Sequence, residues 1–133
     1  MTSFTKLILI FLGSGLGGVL RYALSGWAQA WTTETFPTGT LVVNIIGCFA
    51  IGFLSAAFTG NTAPIPIREE YRIAIIVGII GGFTTFSAFG KETFSLAADR
   101  QMLLAAMNVI LSVTLGLAAV WIGTRLAERI YGA

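Results

Sequence analysis

Four apolar runs, each long enough to cross a hydrocarbon core of about 30 Å as a helix of roughly 20 residues, dominate this chain. They fall at about residues 5–31, 38–60, 70–97 and 101–126. With 56% hydrophobic and only 11% charged residues, against roughly 25% charged in a soluble domain, the chain reads as an all-α membrane protein. It is one domain of four transmembrane helices over residues 1–133. The breaks carry turn chemistry: Phe36-Pro37-Thr38-Gly39, then Gly60-Asn61-Thr62-Ala63-Pro64-Ile65-Pro66, then Ala98-Asp99-Arg100. Trp27, Trp31, Tyr71, Trp121 and Tyr131 fall near segment ends, the depth of the aromatic belts. Lys6, the run LILIFL and Ala28-Gln29-Ala30 imitate a secretory signal. The apolar stretch continues past Arg21 to Trp27 and Trp31, which is too long and wrongly flanked, so it is expected to remain as a span.

Several function classes fall away. There is no histidine, which excludes Cys-His metal sites and histidine-based proton transfer, and with them the commonest tools of an enzyme. The chain is therefore not expected to be one. Cys48 is the single cysteine and cannot form an internal disulfide. A net charge of +2, thinly spread, offers nucleic acid no basic patch. Gly13-Ser14-Gly15-Leu16-Gly17-Gly18 matches G-x-G-x-x-G, with Glu34 downstream. A dinucleotide site also needs a preceding strand and a parallel sheet, which four apolar spans do not supply. Gly13/Gly17, Gly78/Gly82 and Ser112/Gly116 read better as small-xxx-small pairs for close helix approach, within the bundle or between copies.

Orientation is weakly encoded. Lys6, Arg68, Arg72, Arg125 and Arg129 fall on the side of the termini, against Arg21, Lys91 and Arg100 on the other. So slight a bias is compatible with insertion both ways up, and equally with one fixed orientation having both termini in the cytoplasm. A chain of 14.1 kDa encloses little alone, so a second copy is expected to complete any site.

Polar groups inside the spans are the functional candidates. Arg21 is either a structural anchor or a vestibule charge. Lys91 and Glu92 read mainly as a snorkelling cation and a paired carboxylate. Asn44, in LVVNIIG, carries an amide that hydrocarbon cannot satisfy. Thr40 lies one turn earlier on the same face. Asn108, Ser112 and Gly116 form an i, i+4, i+8 row on the fourth span. Two helices thus each offer a narrow, uncharged donor stripe.

The third span holds the least oil-like stretch, GGFTTFSAFG at residues 81–90. Gly81-Gly82 weakens the helix, and the hydroxyls of Thr84 and Thr85 compete for backbone groups. The sequence predicts a broken helix near residues 81–86. Non-helical backbone is tolerated at that depth only inside protein or beside a wet cavity, where freed carbonyls are ligands for a small cation. Phe86 and Phe89 share a face if the helix resumes. An aromatic edge is positive, so rings presented edge-on favour an anion without trapping it. Donors, ring edges and no acidic residue in the expected path together favour an anion over a cation; a small, strongly hydrated anion would most need such donors to replace its water.

The segments GSGLGGVLRY, PTGTLVVNIIGCFAIG, GGFTTFSAFGKET and LSVTLGLAAVWIG, one per span and in order, resemble the Fluc fluoride channel family, also called CrcB. The resemblance implies an antiparallel, dual-topology homodimer in the bacterial inner membrane, with two pores exporting fluoride passively. It implies a structural Na+ at the dimer centre on backbone carbonyls, matched here by Gly81 and Thr84. Phe86 and Phe89 match the pore phenylalanines, Asn44 the pore asparagine, and Ser112 the fourth-span serine. Ser87 matches a member of a hydroxyl track and Arg21 the family's first-span arginine. Ala88, Gly90 and Asn108 depart from the frequent threonine, serine and tyrosine; the Asn108 amide can still donate. Two other readings compete. A proton-coupled small multidrug exporter needs a membrane-buried carboxylate, for which Glu92 is the intraspan candidate. A non-transporting scaffold would use the polar stripes only for hydrogen bonds between helices.

Overall fold

The computed structural model describes residues 3–32, 35–58 and 65–131; Glu34 and most of the second turn lie outside them. The described residues are all helical or turn, with no strand, so the dinucleotide reading of the glycine run has no sheet to stand on. Helix α1 is Ser3–Gln29 and α2 is Thr38–Phe58. The third span, Glu69–Ala98, is composite. It comprises α3 (Glu69–Ile73), a π-helical segment (Ala74–Ile80), the single turn α4 (Gly81–Phe83) and α5 (Phe86–Ala98). Helix α6 is Met102–Tyr131. All four spans are long and apolar enough to cross a membrane, and the chain is a multi-pass membrane protein. The last helix runs five residues beyond the apolar stretch, where Arg125 and Glu128 pair across 2.8 Å at i, i+3 and keep the polar end helical.

The bundle is built from two close helix pairs, and in both the small residues face inward. Gly13 and Gly17 of α1 lie directly against the third span; a Cβ at Gly17 would strike the Ile79 carbonyl and the Phe83 amide. Gly82 returns the arrangement, its missing side chain filled by the Ser14 backbone. Helices α2 and α6 meet likewise, Gly52 against the Val120 carbonyl and Gly123 against that of Phe49. The Thr124 hydroxyl adds a bond to the Gly52 carbonyl at 3.3 Å. Val43, Ala57, Ala105, Ala119 and Ala127 are buried, while Phe4, Phe11, Val19 and Leu117 are exposed. This distribution suits lipid, where burying large side chains gains little and backbone approach gains dispersion.

Two turns fix how the pairs meet. The Gln29 amide donates to the Phe36 carbonyl at 2.9 Å and accepts from the Gly39 amide at 3.0 Å, tying the end of α1 to the start of α2. Between α5 and α6, Arg100 adopts φ +60°. The Gln101 and Arg100 amides bond back to the Leu96 and Ala97 carbonyls at 2.8 and 3.1 Å, the crossed pair of a left-handed helix end.

Candidate functional site

Helical geometry lapses at two residues in the third span. Thr84 (φ −83°, ψ 160°) and Thr85 (φ −151°, ψ 118°) are extended. In a continuous helix the Thr85 amide would serve the Gly81 carbonyl and the Ala88 amide the Thr84 carbonyl. Instead Thr85 donates to Asn44 Oδ1 at 2.8 Å, and Ala88 donates to Thr85 Oγ1 at 3.2 Å. Thr85 is thus the N-cap of α5.

The groups so exposed are taken up by side chains from the other helices. Asn44 Nδ2 donates to the Thr85 carbonyl at 3.0 Å, so one amide holds both backbone groups of that residue. Arg21 Nη1 reaches the Thr84 carbonyl at 3.3 Å. These bonds answer the requirement that backbone at membrane depth be satisfied inside protein.

Two cavities adjoin this segment, and Thr85 borders both. The inner one, about 350 Å³, gathers Asn44, Cys48, Gly81, Thr84, Phe86, Phe89 and Ser112. Phe86 and Phe89 stand on one face of α5 with ring centroids 5.5 Å apart and planes at 47°. Phe86 is 82% exposed, so its ring is offered outward rather than packed away. The outer cavity, about 450 Å³, is lined by Arg21, Tyr22, Ser25, Thr40, Ala88 and Glu92.

Other expected residues are placed differently. Thr40 shares a face of α2 with Asn44 but opens on the outer cavity, where its hydroxyl donates to Glu92 Oε1 at 2.7 Å. Ser87 is exposed and its hydroxyl lies 3.2 Å from that of Thr85, outside both linings. Asn108 is almost wholly buried, and Nδ2 donates to Thr93 Oγ1 at 2.9 Å, so the departing residue at this position bridges α6 to α5. The Thr93 hydroxyl in turn donates to the Phe89 carbonyl at 2.7 Å, one turn back.

Sequence reasoning undervalued Glu92 and overlooked Thr85 and Cys48 as lining residues. Glu92 makes no ion pair among the described residues, and its Oε2 is buried without a hydrogen-bond partner. The available signal was its spacing: Thr85, Ala88 and Glu92 recur at i, i+3 and i+7, one stripe of a helix. Nothing in the local sequence singles out Cys48. Among the described residues no cluster of three or more histidine, cysteine or acidic side chains could hold a metal, so an ion here would rely on backbone and hydroxyl oxygen.

Comparison with known proteins covers most of the chain. Among curated relatives, the Fluoride-specific ion channel FluC of Solibacter usitatus is 44% identical over 124 residues, covering 93% of this chain and 99% of the relative. The protein of that name from Geobacter metallireducens is 42% identical over 124 residues, covering 93% and 98%. The one from Methylococcus capsulatus is 44% identical over 94% of this chain, which spans only 54% of that longer relative. The family model described as CrcB-like protein, Camphor Resistance (CrcB), matches residues 8–124. The chain belongs to the CrcB-like family.

Proposed function

We propose that this protein is a fluoride-selective channel, two antiparallel copies forming a dual-topology dimer that lets fluoride leave a bacterial cell passively across the inner membrane. The observation that carries the reading is the inner cavity, where the Phe86 and Phe89 rings, the Asn44 amide and the Ser112 hydroxyl meet at the Thr84–Thr85 interruption. Fluoride channel names among relatives of near-equal length support it.

Dehydrating a small anion demands hydrogen-bond donors and positive electrostatic potential, yet a fixed positive charge would hold the ion too long. Ring edges and hydroxyls supply weak, repeated binding instead. Arg21 and Glu92, the charged side chains lining the outer cavity, set the field at its entrance without lining the inner one. The second copy would close the exposed side of Phe86.

Na+ fits the Gly81 and Thr84 carbonyls in donor chemistry. Both oxygens have lost their helical donors, both residues line the inner cavity, and hard monovalent cations take neutral oxygen ligands. Bound there, the ion would supply positive charge that draws the two copies together. The Thr84 oxygen would be shared with Arg21, using its second lone pair.

One observation sustains the exporter reading: the half-buried Glu92, with its unpartnered Oε2. Liposomes carrying pure protein separate the possibilities. Fluoride efflux followed with an ion-selective electrode, with chloride as control, is expected to be fast and fluoride-specific. Glu92→Gln is expected to leave that flux in place, whereas an exporter would lose proton-coupled transport. Absence of fluoride flux from the wild type would defeat the channel reading and leave the exporter and scaffold readings, which the Glu92→Gln variant then separates by proton-coupled transport.

A further inference from the structure

We propose that Gly47 is a positioning residue, a socket in α2 that seats the γ-methyl of Thr84 and thereby aims the Thr84 carbonyl. Gly47 is buried one turn beyond Asn44. A Cβ there would overlap Thr84 Cγ2 and come within 3.3 Å of Phe83 Cδ1. Thr84 cannot turn away freely. Its hydroxyl donates to the Ile80 carbonyl at 3.2 Å, which fixes the rotamer and leaves the methyl pointing at α2. Its carbonyl is engaged by Arg21 from α1. One residue is therefore held on three sides, by its own helix, by α1 and by the absence of a side chain on α2.

Asn44 and Gly47, three residues apart on one helix face, hold Thr85 and Thr84 respectively. The first acts by hydrogen bonds and the second by vacancy. A methyl group at position 47 must displace Thr84, because the obstructing atom lies next to its backbone and has no flexible length to yield. Displacement turns the carbonyl and shifts the start of α5, where Phe86 stands two residues on.

This inference rests on the channel reading, and its test separates the two. Wild type, Gly47→Ala, and Gly47→Ala combined with Thr84→Ser, which deletes the obstructing methyl, are compared in two assays. One is fluoride efflux from liposomes. The other is melting temperature in detergent with Na+ or with N-methyl-D-glucamine. Gly47→Ala is expected to slow efflux about tenfold or more and to reduce the rise in melting temperature that Na+ gives. Adding Thr84→Ser is expected to recover most of both losses, which general damage to the bundle would not allow. Unchanged efflux in Gly47→Ala overturns the proposal, as does a loss that the second change does not recover. If Gly47→Ala does not fold, recovery of folded protein in the double variant upholds the socket and failure to recover overturns it. A wild type that moves no fluoride defeats the channel reading alone, since the melting temperatures still decide the steric claim.

Discussion

Upstream of Thr84, the third span lies against α1 so closely that Gly13, Gly17 and Gly82 meet backbone rather than side chains. Downstream of Thr85, Leu96 is the one buried residue of α5, while Phe86, Ser87 and Phe94 are exposed. The same span is thus a fixed frame on one side of the interruption and a display surface on the other. The difference teaches where sequence change is tolerated. At Gly13, Gly17 and Gly82 a single added carbon meets backbone; on the exposed face of α5 a ring can be exchanged at little cost to packing within the chain.

Six substitutions probe that contrast, two of them companions to a main variant, with the four main ones in falling order of expected effect on the fold. Gly17→Leu should remove upwards of about 3 kcal/mol by forcing backbone apart, seen as loss of the monodisperse peak on size exclusion. Gly15→Leu, at a position with no atom in reach of a Cβ, is its control and should leave the peak intact. Equal damage from both would break the contrast. Asn44→Ala strands both backbone groups of Thr85 and should cost about 2 kcal/mol in thermal unfolding. Asn44→Asp keeps the acceptor for the Thr85 amide but sets a carboxylate oxygen against the Thr85 carbonyl at membrane depth, and should cost at least as much. Arg100→Gly relieves the left-handed backbone at the end of α5 and should raise stability by about 1 kcal/mol. Phe86→Ile should change stability by no more than about 0.5 kcal/mol yet suppress fluoride efflux. Full efflux in that variant would remove the ring from the ion's path.

The spans were legible because hydropathy and length alone decide what can cross a bilayer. The weak point at Gly81-Gly82 and the two threonines was legible from local chemistry, since those residues offer helix few rewards. What answers the interruption was not, because its partners come from elsewhere in the chain. Arg21 lies 63 residues before Thr84, and Asn44 lies 41 before Thr85. Asn108 carries the same amide as Asn44 and sits on an equally apolar helix, but it faces Thr93 and is buried. Only packing tells the two apart. From sequence Glu92 is expected to pair with a cation, yet it makes no ion pair among the described residues and its carboxylate turns to Thr40. The π-helical segment has no marker in AIIVGII that we can name.

Asn44 grips Thr85 as a neighbouring strand would, with one bond to the amide and one to the carbonyl. Swinging α5 away from α2 would strain both bonds at once. The gap in the third span is therefore a rivet and not a hinge.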